Sequence, residues 1–402
     1  MKFNFYQRKV GITLLALVAC FAAPVFASPT YGVIELGSLG TSQSYASGYN
    51  SYGEFVTVLV HSSYNVAYGI NNIGQVVGKG AGLDGIRETA IFWKGSTPTN
   101  LNLGTGDYSQ AVSINDSGMV VGTSYNPAHG LSQVTLWQGT SKTYFGSAGH
   151  SSFVSGINNS GQIVGENYTP GFQATLWDGA MQTSLPGSGV RNGQSFANDI
   201  NNFGQIVGRS ELPSGGFHAT FWNGKSVSYL DDHGFGSNAY GINDLAQIAG
   251  VSYNPADGNY HATIWSGSDR TFLGDIGVAG LGTQTAQSIG TKINNKGQVI
   301  GAAFDLTAGA YKPTVWIDGV GTDLSNFLPF ASEFGGRSMS LWATDINDNG
   351  SIVLNATRET LVNGIRVVSR HAYVLTPVPE PSSILLLALG LLWLSFTRRQ
   401  KF

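Results

Sequence analysis

Apolar and polar positions along this chain follow a short alternation set inside a longer period. Seven times an apolar run closes on Ile-Asn, gives way to a polar Asn/Asp-x-Gly/Ala-type stretch and resumes as a second apolar run, as in Ala67-Tyr68-Gly69-Ile70-Asn71 followed by Gln75-Val76-Val77-Gly78. The isoleucines stand at 70, 114, 157, 200, 242, 293 and 346, at offsets of 44, 43, 43, 42, 51 and 53 residues. Asn and Gly tolerate positive φ, so the polar stretch predicts a tight hairpin with a Gly bulge between two strands. A third run ends in Trp93, Trp137, Trp177, Trp222, Trp265 and Trp316, with Tyr373 near that place in the seventh unit. A fourth follows, as in Lys142–Gly146 and Arg270–Gly274.

Four short strands per roughly 43 residues is the signature of one β-propeller blade. The chain ends are out of phase in a complementary way. Tyr31–Gly37 reads as a fourth strand with no blade before it, and the seventh unit stops after a third strand at His371–Leu375. Pairing them closes a ring and removes the open edges that invite aggregation. The fold expected is an all-β, seven-bladed propeller over 28–376, its N-terminal strand completing the last blade.

Composition narrows the function classes. Charged residues are 11% of the chain and the net charge is −3, which leaves no basic footprint for nucleic acid. Lys2, Arg8 and Lys9 precede an apolar stretch ending in Val25-Phe26-Ala27, a secretory signal peptide over 1–27 with cleavage between Ala27 and Ser28. Leu17-Val18-Ala19-Cys20 offers lipidation at Cys20 as an alternative. Cys20 is the only cysteine, so cleavage after Ala27 leaves no thiol, and core packing and ring closure must hold the exported protein. At the other end Pro379-Glu380-Pro381 precedes an apolar run from Ile384 to Phe396 and then Arg398-Arg399. Thirteen residues at about 1.5 Å each span roughly 20 Å, short of the ~30 Å hydrocarbon core. The run suits a sorting anchor over 384–397, with the basic end in the cytoplasm.

These ordered features resemble the PEP-CTERM sorting signal of Gram-negative bacteria. The resemblance covers 378–402 and implies an exosortase as partner, transient insertion in the inner membrane, and removal or exchange of the tail near the motif. Placement at the cell surface or in the extracellular matrix would follow. The repeat phrases also resemble the HAF repeat of bacterial extracellular proteins, through His218-Ala219-Thr220-Phe221-Trp222, His261-Ala262-Thr263-Ile264-Trp265 and His371-Ala372-Tyr373.

Candidate chemistry is sparse. Asp345-Ile346-Asn347-Asp348-Asn349-Gly350 matches the opening of a calcium loop, but Ala356 stands where the closing Glu belongs, so a turn is expected. The three histidines fall at equivalent strand positions and are expected to bond to backbone. The six tryptophans are expected to pack between blades rather than form a sugar platform. No nucleophile elbow, phosphate loop or zinc spacing appears, and no cofactor or metal is expected. Three joints between a fourth strand and the next first strand carry extra residues, at about 41–65, 275–291 and 323–342. All such joints share one ring face. Tyr49, Tyr52, Phe330, Phe334, Arg337 and Trp342 are the candidate ligand surface there, since loops on a rigid scaffold commonly carry recognition. The function expected is a non-catalytic binding or structural protein of the envelope or matrix; the PEP-CTERM resemblance implies an association with exopolysaccharide. A secreted glycan-active or other hydrolase is the alternative. An acidic pair facing a common cavity would favour the hydrolase.

Overall fold

The computed structural model describes residues 30–40, 64–82, 87–102, 108–139, 141–146, 151–168, 171–187, 193–213, 215–230, 234–276, 287–328, 340–359 and 368–378, and the backbone alone of 42–49, 55–62, 169, 360–362 and 365–367. The expected signal peptide, Cys20 and the sorting tail from Pro379 onward lie outside them, as does the expected helix over 384–397.

Seven four-stranded antiparallel sheets form the seven blades, each with its strands in sequence order from the axis outward. The seventh is completed by the N-terminal strand Thr30–Glu35, which pairs along Ile365–Val378 from Thr30↔Val378 to Glu35↔Tyr373. The closing strand runs to Val378, two residues past the expected domain end at 376.

In each blade the first strand carries a bulge, between Ala67 and Gly69 in the first and at the matching place in the other six. The four-residue turn that follows ends in a left-handed glycine, such as Gly74 at φ 79°. In the fifth blade Ala246 holds that position at φ 57°, a strain of about 1–2 kcal/mol for an L-residue. In the second strand a Cβ on Gly78 would lie 2.0 Å from the Val66 carbonyl oxygen, so no side chain fits opposite the bulge.

The six tryptophans are buried, each in a cluster drawn from adjacent blades. Trp93 packs with Ala67 and Val76 of its own blade and Val353 and Ala372 of the seventh, and its Nε1 donates to the Gly37 carbonyl at 2.7 Å. In the seventh blade the register places Leu375, not Tyr373, opposite Ile352, as Trp93 stands opposite Val76. Tyr373 instead corresponds to Ile91, because Leu354 stands where the first blade has Gly78.

Strand direction gives the ring two different faces. First-to-second and third-to-fourth turns lie on one, the turn face. Second-to-third loops and all joints between blades lie on the other, the joint face. The 41–65 joint contains a hairpin, Ser42–Tyr49 with Phe55–Ser62. It stands beside an unusually long second-to-third hairpin of the seventh blade, Ile352–Val362 with Ile365–Val378, through a parallel bridge between Tyr64 and Arg370. The 323–342 joint opens with a 3-10 turn, Leu324–Phe327, capped by Asp323.

Candidate functional site

The axis is lined by the seven Ile-Asn phrases, which enclose a polar cavity of about 160 Å3 at the turn face. Its wall is a pair of closed hydrogen-bond rings. In the first ring Asn71, Asn115, Asn158, Asn201, Asn243, Asn294 and Asn347 each donate Nδ2 to the backbone carbonyl of the next, every bond 3.0 Å long. Each Oδ1 meanwhile accepts the backbone N–H four residues on, inside its own turn. One side chain must donate outward and accept inward, which an amide does and a carboxylate does not.

The second ring has a different rule. Asn72, Asp116, Asn159, Asn202, Asp244, Asn295 and Asp348 each accept at Oδ1 from the backbone N–H of the preceding member. Acceptance alone is required there, so Asp is allowed. No two acids are neighbours: the Oδ2 atoms of Asp116, Asp244 and Asp348 each accept from the amides on both sides, at 2.9–3.1 Å. The Asp345–Gly350 stretch is thus a turn, its Asn347 and Asp348 committed to the rings.

Beneath the rings the bulge turns the residue before each isoleucine toward the axis. These are Gly69, Ser113, Gly156, Asp199, Gly241, Lys292 and Asp345. Lys292 Nζ reaches Asp199 Oδ1 at 3.1 Å, passing the blade where Gly241 stands; a Cβ there would lie 2.9 Å from Lys292 Cα. Asp199 Oδ2 accepts from Ile242 N–H, and Asp345 accepts from Ile70 and Ile346 N–H at 2.8 and 2.9 Å. Burial pushes the Asp345 carboxyl up to about 6, against the pull of Lys292 and the two N–H groups. Burial works against the Lys292 charge, but Asp199 and Asp345 outweigh it and hold its pKa above the ordinary value. An acidic pair therefore does face a common cavity. The sequence signal for it was a charged residue at a place where other units have Gly or Ser.

The joint face is aromatic. From blade three to blade four a run of rings links Tyr168, Phe172, Phe196 and Phe217 at centroid spacings of 5.2, 5.5 and 5.8 Å, with Phe153 alongside. The Arg209 guanidinium lies 4.6 and 4.8 Å from the Phe196 and Phe217 rings. Blade five adds Phe235, Tyr253 and Tyr260, and blade six Phe304 and Tyr311. Of the expected ligand residues, Trp342 stands at the joint-face end of its strand, half-buried. Tyr49 is described in backbone only; Tyr52, Phe330, Phe334 and Arg337 lie outside the described residues. Tyr64, in the first joint, accepts from Arg370 Nη1 at 2.7 Å.

Two of the three histidines bond to carboxylates rather than to backbone as expected: His261 to Asp257 and His371 to Glu35, each at 2.7 Å. Equivalent strand positions place acids from neighbouring loops or strands beside the rings.

Beside the aromatic run, burial pushes Glu166 up to about 7, partly opposed by Arg209, and its Oε2 has no hydrogen-bond partner among the described residues. Between the ordinary value of 4.5 and about 7 the folded chain holds a proton that the unfolded chain has released, so stability falls as pH rises through that window. Glu166→Gln is expected to gain up to about 3 kcal/mol above pH 7 and little at pH 4. Melting temperatures of both chains across pH check this; parallel curves would refute it.

Residues 377–399 match the family described as the PEP-CTERM protein-sorting motif. No curated protein matches the sequence. In fold the chain is similar to an acylaminoacyl peptidase of Pyrococcus horikoshii, at 12% identity and a TM-score of 0.48 over 81% of this chain and 54% of that one. It is similar also to a puromycin-hydrolyzing peptidase of Mycobacterium tuberculosis (10%, 0.45, 82% and 58%) and to the six-bladed, fucose-recognising Aleuria aurantia lectin (13%, 0.35, 65% and 93%). The chain spans about half the length of the peptidases. At these identities the likeness concerns fold alone, whereas the motif at 377–399 implies an exported protein whose tail is handled by an exosortase.

Proposed function

We propose that this protein is a non-catalytic glycan-binding component of the cell envelope or extracellular matrix, and that its ligand is an exported polysaccharide held on the joint face. The observation that carries the reading is the run of rings from Tyr168 to Phe217 with Arg209 across it, continued by Tyr253 and Tyr260. Sugar rings present C–H faces that pack on aromatic faces, and Tyr hydroxyls add polar contacts at the edge. The repeat tryptophans are spent on blade packing, which leaves Phe and Tyr as the available surfaces. Of the six candidate residues of the joints, Trp342 extends the same face to blade seven.

Sorting fits this role. The last paired residue, Val378, stands next to Pro379, so a cut within Pro379–Pro381 leaves the closing strand whole. Mass spectrometry of protein from an exosortase-bearing host is expected to find a C-terminus near that motif and no Arg398; intact Phe402 would reject sorting. A glycan array probed with the exported protein tests the ligand class: binding to acidic or neutral polysaccharides supports it, and an array without binding rejects it.

The second reading, a hydrolase, is favoured by Asp345 near 6 beside Lys292 and Asp199. All four oxygens of that pair already accept from backbone N–H or face Lys292, which suits a cross-axis brace better than acid–base chemistry. Glycan cleavage that is lost in Asp345→Asn would reverse the ranking.

A further inference from the structure

The two faces differ in apolar chemistry as well as in topology. Among the described residues the four most exposed large hydrophobic side chains are Phe203 at 73%, Met181 at 69%, Ile73 at 68% and Leu245 at 67%, and all four lie on the turn face. Ile73, Phe203 and Leu245 occupy the same place in the turns of blades one, four and five, around the axial mouth; Met181 lies at the third-to-fourth turn of blade three. On the joint face the exposed large side chains are mostly hydroxyl-bearing aromatics such as Tyr108, Tyr168, Tyr260 and Tyr311, with Phe153, Leu306 and Phe235 less exposed than the turn-face four, at 44–55%.

The path of the chain adds an independent observation. The strand Ile365–Val378 runs from the joint face to the turn face, and the Thr30 hydroxyl donates to the Val378 carbonyl at its end. Pro377 lies against the turn of the seventh blade, where a Cβ on Gly350 would come 3.2 Å from its Cγ. The tail therefore leaves from the turn face. Ile384 opens its apolar run six residues after Val378, a reach of about 20 Å at most when fully extended. The headgroup layer takes up roughly 5–8 Å of that reach.

We propose that the turn face docks on the lipid surface while the tail is in place, with Ile73, Met181, Phe203 and Leu245 entering the interfacial layer and the aromatic face held outward. The inference rests on the reading of the residues from Pro379 onward as a membrane-inserted sorting tail. Four isolated side chains bind a bilayer weakly, and the acids of the second ring add no attraction to anionic lipid. A short tether supplies what they lack, because it makes the contact intramolecular at millimolar effective concentration. Removing the tail then releases the face along with the anchor.

The test uses the chain from Ser28 to Phe402, which has no cysteine of its own, reconstituted in vesicles of phosphatidylethanolamine and phosphatidylglycerol with brominated acyl chains. A single cysteine carries an environment-sensitive fluorophore, in separate proteins with Phe203→Cys, Leu245→Cys or Phe235→Cys. Flotation with the vesicles reports anchoring. The expected result is flotation of all three, with the labels at 203 and 245 quenched at least threefold more than the label at 235. Flotation with equal quenching at the three sites, or with stronger quenching at 235, overturns the docking proposal alone. Failure to float overturns the anchoring reading and the proposal with it. Near-ultraviolet circular dichroism equal to that of the unlabelled chain keeps misfolding from imitating either result.

Discussion

Deleting residues 31–39 should cost the protein most of its stability, lowering its melting temperature by more than about 10 °C or leaving only aggregate. The deletion removes the fourth strand of the seventh blade and exposes the long edge of Ile365–Val378. It also strips blade one. Leu36 packs in the core with Trp93, Trp93 Nε1 loses the Gly37 carbonyl, and Asn65 Nδ2 loses Leu36 and Ser38. Deleting the tail from Pro379 touches none of these contacts and should leave the melting temperature within about 2 °C. Equal melting of the 31–39 deletion and the intact ring would show that closure contributes nothing.

The second large effect belongs to the axis. Asn201 is buried and makes four bonds: Nδ2 to the Asn243 carbonyl and Gln205 Oε1, and Oδ1 from Phe203 and Gln205 N–H. Asn201→Leu abolishes all four and leaves buried partners unsatisfied at about 1–3 kcal/mol each. A net loss of roughly 4 kcal/mol is expected, a large share of the 5–15 kcal/mol typical of a folded domain. Asn201→Asp keeps the inward acceptor and turns the outward donor into a second acceptor facing a carbonyl, so it should also destabilise. Asn202→Asp makes a milder comparison: it places one acid beside Asp244, where the ring has none adjacent. Chemical denaturation of the three variants gives the order. Finding Asn201→Asp as stable as the unmodified chain would remove the amide requirement.

The blade count, the four strands per unit and the closing role of Tyr31–Gly37 were legible because each follows from a local pattern repeated in phase. The buried tryptophans were legible too, since one large aromatic per unit has one wedge to fill. The rings were not. The Asn-Asn/Asp-x-Gly phrase was read as hairpin chemistry, and it is that, but the same two residues also tie each blade to the next. A contact between residues 42 or more positions apart leaves no mark in a local window. Asp199, Lys292 and Asp345 escaped notice for a related reason: the bulge that points them at the axis is a property of strand pairing. Tyr373 was matched to the tryptophans by position in the sequence, and pairing register moved the equivalence to Leu375. The long hairpin of the seventh blade extends an ordinary alternating pattern, whose length carries no turn signal until residues 363–364.

Ligand recognition depends on side chains that meet only across blades. Tyr168, Phe172 and Phe196 belong to three different strands, and their common surface exists only once blades three and four are side by side. The expectation of a joint-face site was drawn from loop length; the described rings of blades three and four give that face a contiguous aromatic run, with a further cluster in blade five.

Calorimetric titration of the exported protein with polysaccharide from its own host tests the central claim most directly, alongside a Tyr168→Ala, Phe196→Ala, Tyr260→Ala variant. Saturable binding by the parent and at least tenfold weaker binding by the variant, with unchanged melting temperature, is the result predicted. Absence of binding by the parent, or equal affinity in both proteins, would contradict it.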